Sequence, residues 1–210
     1  MNYELAYRVG FHPWEDAQDQ PAFVETLARL LDEEEAGREP PYGRALDVGT
    51  GSGIWGIELA RRGWDVTGID IVDRALERAA ARVNEAGLEM RVERRDVTDL
   101  GAAPPIGDFR LVLDTGTFHG LGPAAREAAG RELTAITTPD ATVLLLAWAP
   151  RRRGPFPRGA DRAAIEAVFP HWEVTEIGPT GFVAPKPVEL LLRPDERWYR
   201  LRRAAQGAAR

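Results

Sequence analysis

Leu46-Asp47-Val48-Gly49-Thr50-Gly51-Ser52-Gly53 decides how this chain is read. Upstream, Arg44-Ala45-Leu46-Asp47-Val48 has the apolar character of a short buried strand. Downstream, residues 54–62 read as a helix. A glycine-rich turn between strand and helix lets the backbone take positive φ and leaves room for a ligand against the main chain. The helix beyond it presents free N–H groups. A turn of this kind at the carboxyl end of a first strand is where open α/β sheets hold nucleotide-like ligands.

Outward from that turn, helical and strand periods alternate. Residues 21–36 predict a helix, with Pro21 at its start, Phe23, Leu27, Leu30 and Leu31 on one face and Gly37 at its end. Val66, Gly68 and Ile69 belong to a second strand that closes at Asp70. Asp73 is expected to cap a helix bearing Ala75, Leu76, Ala79 and Val83, with Gly87 closing it. Met90 and Val92 alternate in a third strand. A loop with Pro104-Pro105 leads to a fourth, Phe109–Asp114. Pro123 opens a helix reaching about Thr137, and Val143–Trp148 is a fifth strand, apolar on both faces as central parallel strands are. A short helix near Asp161–Phe169 precedes strands at 172–177 and 197–201, which could pair as an antiparallel hairpin at the sheet edge. The order predicts an α/β, Rossmann-like, seven-stranded and mostly parallel sheet with helices on both faces and an antiparallel final strand. Residues 1–36 would form an N-terminal lid and helix, 37–203 the ligand-binding unit and 204–210 a frayed tail, all in one structural domain.

Composition narrows the function classes. The 210 residues hold 44% hydrophobic and 29% charged side chains, an ordinary globular balance. There are no cysteines, which excludes disulfides, thiolate metal sites and a cysteine nucleophile. The three histidines are scattered and no metal constellation is predicted. A net charge of −6 argues against a nucleic-acid partner. No run is long and apolar enough for a membrane span, and Met1-Asn2-Tyr3-Glu4 lacks the start of a signal peptide, so a cytoplasmic location is expected.

Three acidic positions follow the strands. Asp70 can accept both hydroxyls of a ribose. Asp96, in Arg95-Asp96-Val97, can accept from an adenine amino group while Val97 covers the ring or simply packs in the core. Asp47 lies two residues before Gly49 and would face a cationic ligand group; a pyrophosphate there would be repelled. Gly51-Ser52-Gly53-Ile54-Trp55-Gly56 also fits the dinucleotide fingerprint, so an NAD(P)-dependent oxidoreductase stays open. That chemistry wants a partner such as a Tyr-Lys pair, and the only lysine, Lys186, has no such setting.

These residues together resemble the class I S-adenosylmethionine-dependent methyltransferases. Asp47–Gly53 looks like motif I, Asp70 like the ribose acid of motif II, Asp96 like the adenine-side acid, and Asp114-Thr115-Gly116-Thr117-Phe118-His119 lies in the place of motif IV. The resemblance implies S-adenosyl-L-methionine as cofactor, S-adenosyl-L-homocysteine as product, and cofactor contacts from Asp47, Gly49, Thr50, Gly51, Gly53, Asp70, Ile71, Asp96, Val97 and Asp114. His12-Pro13-Trp14-Glu15-Asp16 with Gln20-Pro21 is similar to a segment of the thiopurine, halide/thiol and tellurite methyltransferase group, in which the N-terminal segment folds over the cofactor. Glu15 replaces the group's Asp, and Gly120 stands where a second His is common.

The implied activity is in-line methyl transfer to a small-molecule nucleophile, by a monomer or homodimer that needs neither nucleic acid nor membrane. His119 and Asp114 are the candidate catalytic residues; Trp14, His12, Phe118, His119 and Trp148 are the candidate acceptor contacts. Each has a plainer reading: a structural histidine, a turn cap at Asp114, packing at Trp14 and Trp148. Arg151-Arg152-Arg153 reads as a solvated cluster or as a site for an anionic substrate. A non-catalytic cofactor binder is the remaining alternative.

Overall fold

The computed structural model describes residues 13–101, 106–152, 158–184, 186, 190 and 194–203. His12, Arg153 and the predicted tail at 204–210 lie outside the described residues, as does the Trp14 side chain. Seven strands, β1 (Arg44–Val48), β2 (Asp65–Asp70), β3 (Met90–Arg94), β4 (Phe109–Asp114), β5 (Thr137–Trp148), β6 (Trp172–Pro179) and β7 (Glu196–Arg203), form one sheet in the order β3-β2-β1-β4-β5-β7-β6. Neighbours from β3 through β5 are parallel, and β7 is antiparallel to both β5 and β6. The expected pairing of the last two strands is present, but β7 is inserted inside the sheet and β6 takes the edge.

Among the described residues, the α-helices α1 (Pro21–Glu35), α2 (Ile54–Arg62), α3 (Asp73–Ala86), α4 (Pro123–Ile136) and α5 (Arg162–Val168) accompany the sheet. A 3-10 turn over Pro13–Asp19 precedes α1 and another follows β4 at Phe118–Gly120. Helix α1 buries Phe23, Leu27, Leu30 and Leu31, the face its spacing predicts. It joins α2 over one sheet face, where Leu59, Val66, Leu111, Leu113, Leu144, Leu146 and Trp198 complete a buried cluster. Helices α4 and α5 cover the other face through Leu133, Ile136, Ile165 and Phe169, against Val112, Val143, Leu145 and Tyr199. Alternate residues of β4 and β5 feed opposite clusters, as a strand buried on both sides requires.

Two local readings change. The residue before α3 is Val72, with no side-chain cap, and Asp73 does not cap the helix. The carboxylate of Asp70 takes that place by accepting from Val72 N at 2.9 Å, while Asp73 turns outward to pair with Arg94. Strand β5 also starts earlier than its apolar run, at Thr137. Its first residues include Pro139, which a regular central strand would not accept; a register irregularity between Phe109 and Leu111 on β4 accommodates it.

Phe23 packs α1 against both α2 and the sheet, its ring 5.3 Å from Trp55 and 5.9 Å from Trp198. Phe23→Ala is expected to cost about 3–5 kcal/mol of stability, because the bulky neighbours cannot close the space. Urea denaturation measures this; a loss below about 1 kcal/mol would mean that α1 is not part of the cooperative core.

Candidate active site

The carboxyl ends of β1, β2 and β4 are tied together by their loops. After β1, Gly49 has φ +66, and a Cβ at this position would overlap the Thr117 hydroxyl of the β4 loop. That hydroxyl donates to Val48 O at 3.2 Å. The β1 turn is joined to β2 by Thr50 N, which donates to Ile69 O at 2.9 Å, and by Gly51 N, which donates to Asp70 Oδ2 at 3.0 Å. Gly53 precedes α2 at φ +83 and brings it against α3: a Cβ there would stand 3.2 Å from Ala79 Cα. Glycine at 49 and 53 is therefore required by both conformation and space.

Asp47 is 1% exposed and lies beneath this turn. Thr50 Oγ1 donates to its Oδ2 at 2.6 Å, and the Gly56 backbone at the start of α2 is against it. Burial raises its pKa to about 7 against the opposing pull of those hydrogen bonds, with Asp114 and Asp70 adding like-charge repulsion. Burial likewise raises Asp70. Among the described residues, Asp47 Oδ1 and Ser52 Oγ are buried without a partner. Three carboxylates thus converge around a glycine turn with no guanidinium hydrogen-bonded to any of them among the described residues.

Asp114 is 2% exposed and accepts from the backbone N–H groups of Gly116, Thr117 and Phe118 at 2.9, 2.7 and 3.0 Å. Burial raises its pKa to about 6 in spite of these bonds. It caps the β4 turn, the plainer of its two readings. Phe118 is reassigned. It is 1% exposed and packs on Phe169 in the core at 5.9 Å, so it does not face an acceptor.

His119 is 5% exposed, and its Nδ1 accepts from Trp148 N at 3.1 Å. With Nδ1 committed as acceptor, the neutral imidazole carries its proton on Nε2 and has no lone pair left for a base. The ring also lies against Trp148, centroids 5.2 Å apart. The structure brings His119 and Trp148, two of the candidate acceptor contacts, against each other.

On the other side of the turn, Asp96 is exposed and its Oδ1 accepts from Thr98 N and Oγ1 at 2.8 and 2.7 Å. Val97 is buried in the core, the plainer of its two readings. Ile71, beside Asp70, is 54% exposed. Arg151 and Arg152 are exposed.

Several contributors find their partners only in the folded chain. Arg126 on α4 donates to the carbonyls of Phe118, His119 and Gly159, clamping the β4 turn to the chain beyond β5. Gln20 exchanges two hydrogen bonds with the Val183 backbone, holding the start of α1 to the β6–β7 connection. Glu15 is ion-paired with Arg82 of α3 at 3.7 Å. Glu196, at the start of β7, accepts from Trp148 Nε1 and Thr180 Oγ1. The described residues hold no cluster of three potential metal ligands and no helix long and apolar enough to cross a membrane.

Comparison with known proteins agrees with this geometry. A family model described as a methyltransferase domain matches residues 45–140. The chain is 34% identical over 126 residues to tRNA (guanine(26)-N(2))-dimethyltransferase of Halobacterium salinarum, covering 58% of this chain and 31% of that protein. It is 32% identical over 124 residues to EEF1A lysine methyltransferase 2 of Danio rerio, covering 55% and 52%. The chain thus spans about half or less of the length of these curated relatives. Among solved structures, the 1,6-didemethyltoxoflavin-N1-methyltransferase of Burkholderia thailandensis superposes with a TM-score of 0.69 at 17% identity, over 97% of this chain and 86% of that one. The glycine turn and the sheet order agree with these matches: residues 45–140 are similar to a methyltransferase domain, and the fold is shared with a solved methyltransferase.

Proposed function

We propose that this protein transfers the methyl group of S-adenosylmethionine to a small-molecule nucleophile by in-line displacement. The observation that carries the proposal is the convergence of Asp47, Asp70 and Asp114 around the glycine turn. Their summed field favours a cationic ligand and opposes a pyrophosphate, which weighs against the dinucleotide reading of Gly51–Gly56. Two of the buried atoms without a partner among the described residues fit the amino-acid end of the cofactor: Asp47 Oδ1 can accept from its ammonium and Ser52 Oγ can donate to its carboxylate.

The remaining contacts are assigned on the same basis. Gly49, Thr50, Gly51 and Gly53 form the backbone cradle, with the Thr50 hydroxyl bracing Asp47. Asp70 uses one lone pair of each oxygen on Gly51 and Val72, leaving the others for ribose hydroxyls. Ile71 offers an apolar face for adenine and Asp96 an acceptor for its amino group. When bound, the cofactor supplies a methyl group activated by a sulfonium. Its leaving group is neutral, so the chain's task is to position the acceptor and exclude water, which can contribute roughly 7–11 kcal/mol. His119 and Trp148 line the acceptor side. Gln20 draws the start of α1 over that side, consistent with the lid resemblance of the N-terminal segment and with a small acceptor.

Calorimetry with S-adenosylhomocysteine tests the reading. Binding is expected, with no heat from NADH; folded protein that ignores S-adenosylhomocysteine would overturn it. Turnover with none of a panel of acceptors despite tight binding would favour a non-catalytic binder. Gly49→Ala should weaken S-adenosylhomocysteine binding by about tenfold or more, since the new Cβ must displace Thr117 from Val48.

The raised carboxylates also set a pH dependence. With its folded pKa raised to about 7, Asp47 keeps its proton in the native state where the unfolded chain has lost it. Its contribution is complete below the unfolded value of about 3.9 and is lost as pH rises through the folded one. The thermal midpoint of the ligand-free protein is expected to fall between about pH 4 and 7, and Asp47→Asn to flatten that fall. An unchanged slope in the variant, read by calorimetry, would count against the assignment.

A further inference from the structure

Glu196 is a chemically capable group that the transfer as described leaves unused. Strand β7 runs against its neighbours, so its first residue stands at the same end of the sheet as the last residues of β1, β4 and β5. Glu196 is paired in register with Trp148, and directly opposed residues share a sheet face. Trp148 Nε1 donates to Oε1 at 2.7 Å and Thr180 Oγ1 donates to Oε2 at 3.2 Å. Each oxygen therefore has one donor and capacity for another. The side chain is partly exposed, and burial of most of it pushes its pKa up against those two hydrogen bonds. Among the described residues no cation is among the causes that shift it.

The surroundings are aromatic. Trp55 at the start of α2, Trp148 at the end of β5 and Phe182 after β6 are partly buried against one cluster that includes Phe23 and Trp198. A largely desolvated carboxylate at the edge of an aromatic cluster attracts a positive charge and repels an anion. Halide and thiolate acceptors are thereby disfavoured.

We infer that Glu196 binds the methyl acceptor directly and that the acceptor is a small amine, received as its ammonium. This rests on the methyltransferase reading above. The ammonium gives a proton to a Glu196 carboxylate oxygen, freeing the nitrogen lone pair. That pair forms the new N–C bond as the C–S bond breaks and its electrons stay on sulfur, leaving a neutral thioether. The methylated nitrogen carries the positive charge, and Glu196 returns its proton to solvent.

The test is binding in the presence of S-adenosylhomocysteine, with phenethylamine, phenethyl alcohol and phenylacetate as probes. Wild-type protein is expected to bind the amine about tenfold or more tightly than the other two. Glu196→Gln preserves the side-chain shape and should abolish that preference while leaving S-adenosylhomocysteine affinity and the thermal midpoint unchanged. A wild type that binds alcohol or phenylacetate as well as amine, or binds no amine, overturns the inference; so does a Gln variant that keeps the preference. If the variant fails to fold, the wild-type comparison alone decides. Failure of S-adenosylhomocysteine to bind would strike the methyltransferase reading and is visible separately. An Nα-acetyl-lysine amide that binds more tightly than phenethylamine would keep the ammonium site and overturn its assignment to a small amine.

Discussion

The hydroxyl of Thr117 sits on the carbonyl of Val48, in space that only a glycine at position 49 leaves open. Through this contact the loop after β4 is locked to the turn after β1. Asp114 holds the β4 loop from within by collecting three of its backbone N–H groups. Gly51 and Thr50 fasten the β1 turn to β2. Three strand ends thus become one rigid rim, and rigidity here matters because positioning is most of what a methyl transfer asks of a protein.

The same rim stores electrostatic tension. Asp47 and Asp114 are removed from water with no opposite charge hydrogen-bonded to either among the described residues, a costly arrangement for a fold that seeks stability alone. The cationic end of the cofactor proposed above would offset that cost. Backbone donors keep Asp114 in place, while Asp47 has an unmet acceptor beneath the glycine turn. One carboxylate is thereby structural and the other is available, although both end a strand and look alike as letters.

That likeness marks the limit of what the sequence shows. Hydrophobic periods and the glycine turn made the sheet, its helices and the cradle legible, because those depend on residues close together along the chain. The roles of the acids were less legible. Asp73 has the position of a helix cap, yet Asp70 reaches Val72 first. His119 and Trp148 were each read as candidate acceptor contacts, but the hydrogen bond between them is a property of the folded backbone. Glu196 carried no signal at all, since it acquires its meaning from Trp148 and Thr180, which the antiparallel β7 brings beside it. The clasp between Gln20 and Val183 spans most of the chain in the same way.

The placement of β7 has a consequence for how the chain is made. Strand β6 leaves the ribosome before β7 but cannot join the sheet without it, because β7 fills the slot next to β5. Until residues 196–203 emerge, one flank of β5 and the whole of β6 present unsatisfied backbone groups. The nascent molecule is therefore most exposed to mispairing with other chains during that interval, and its sheet closes in a single late step.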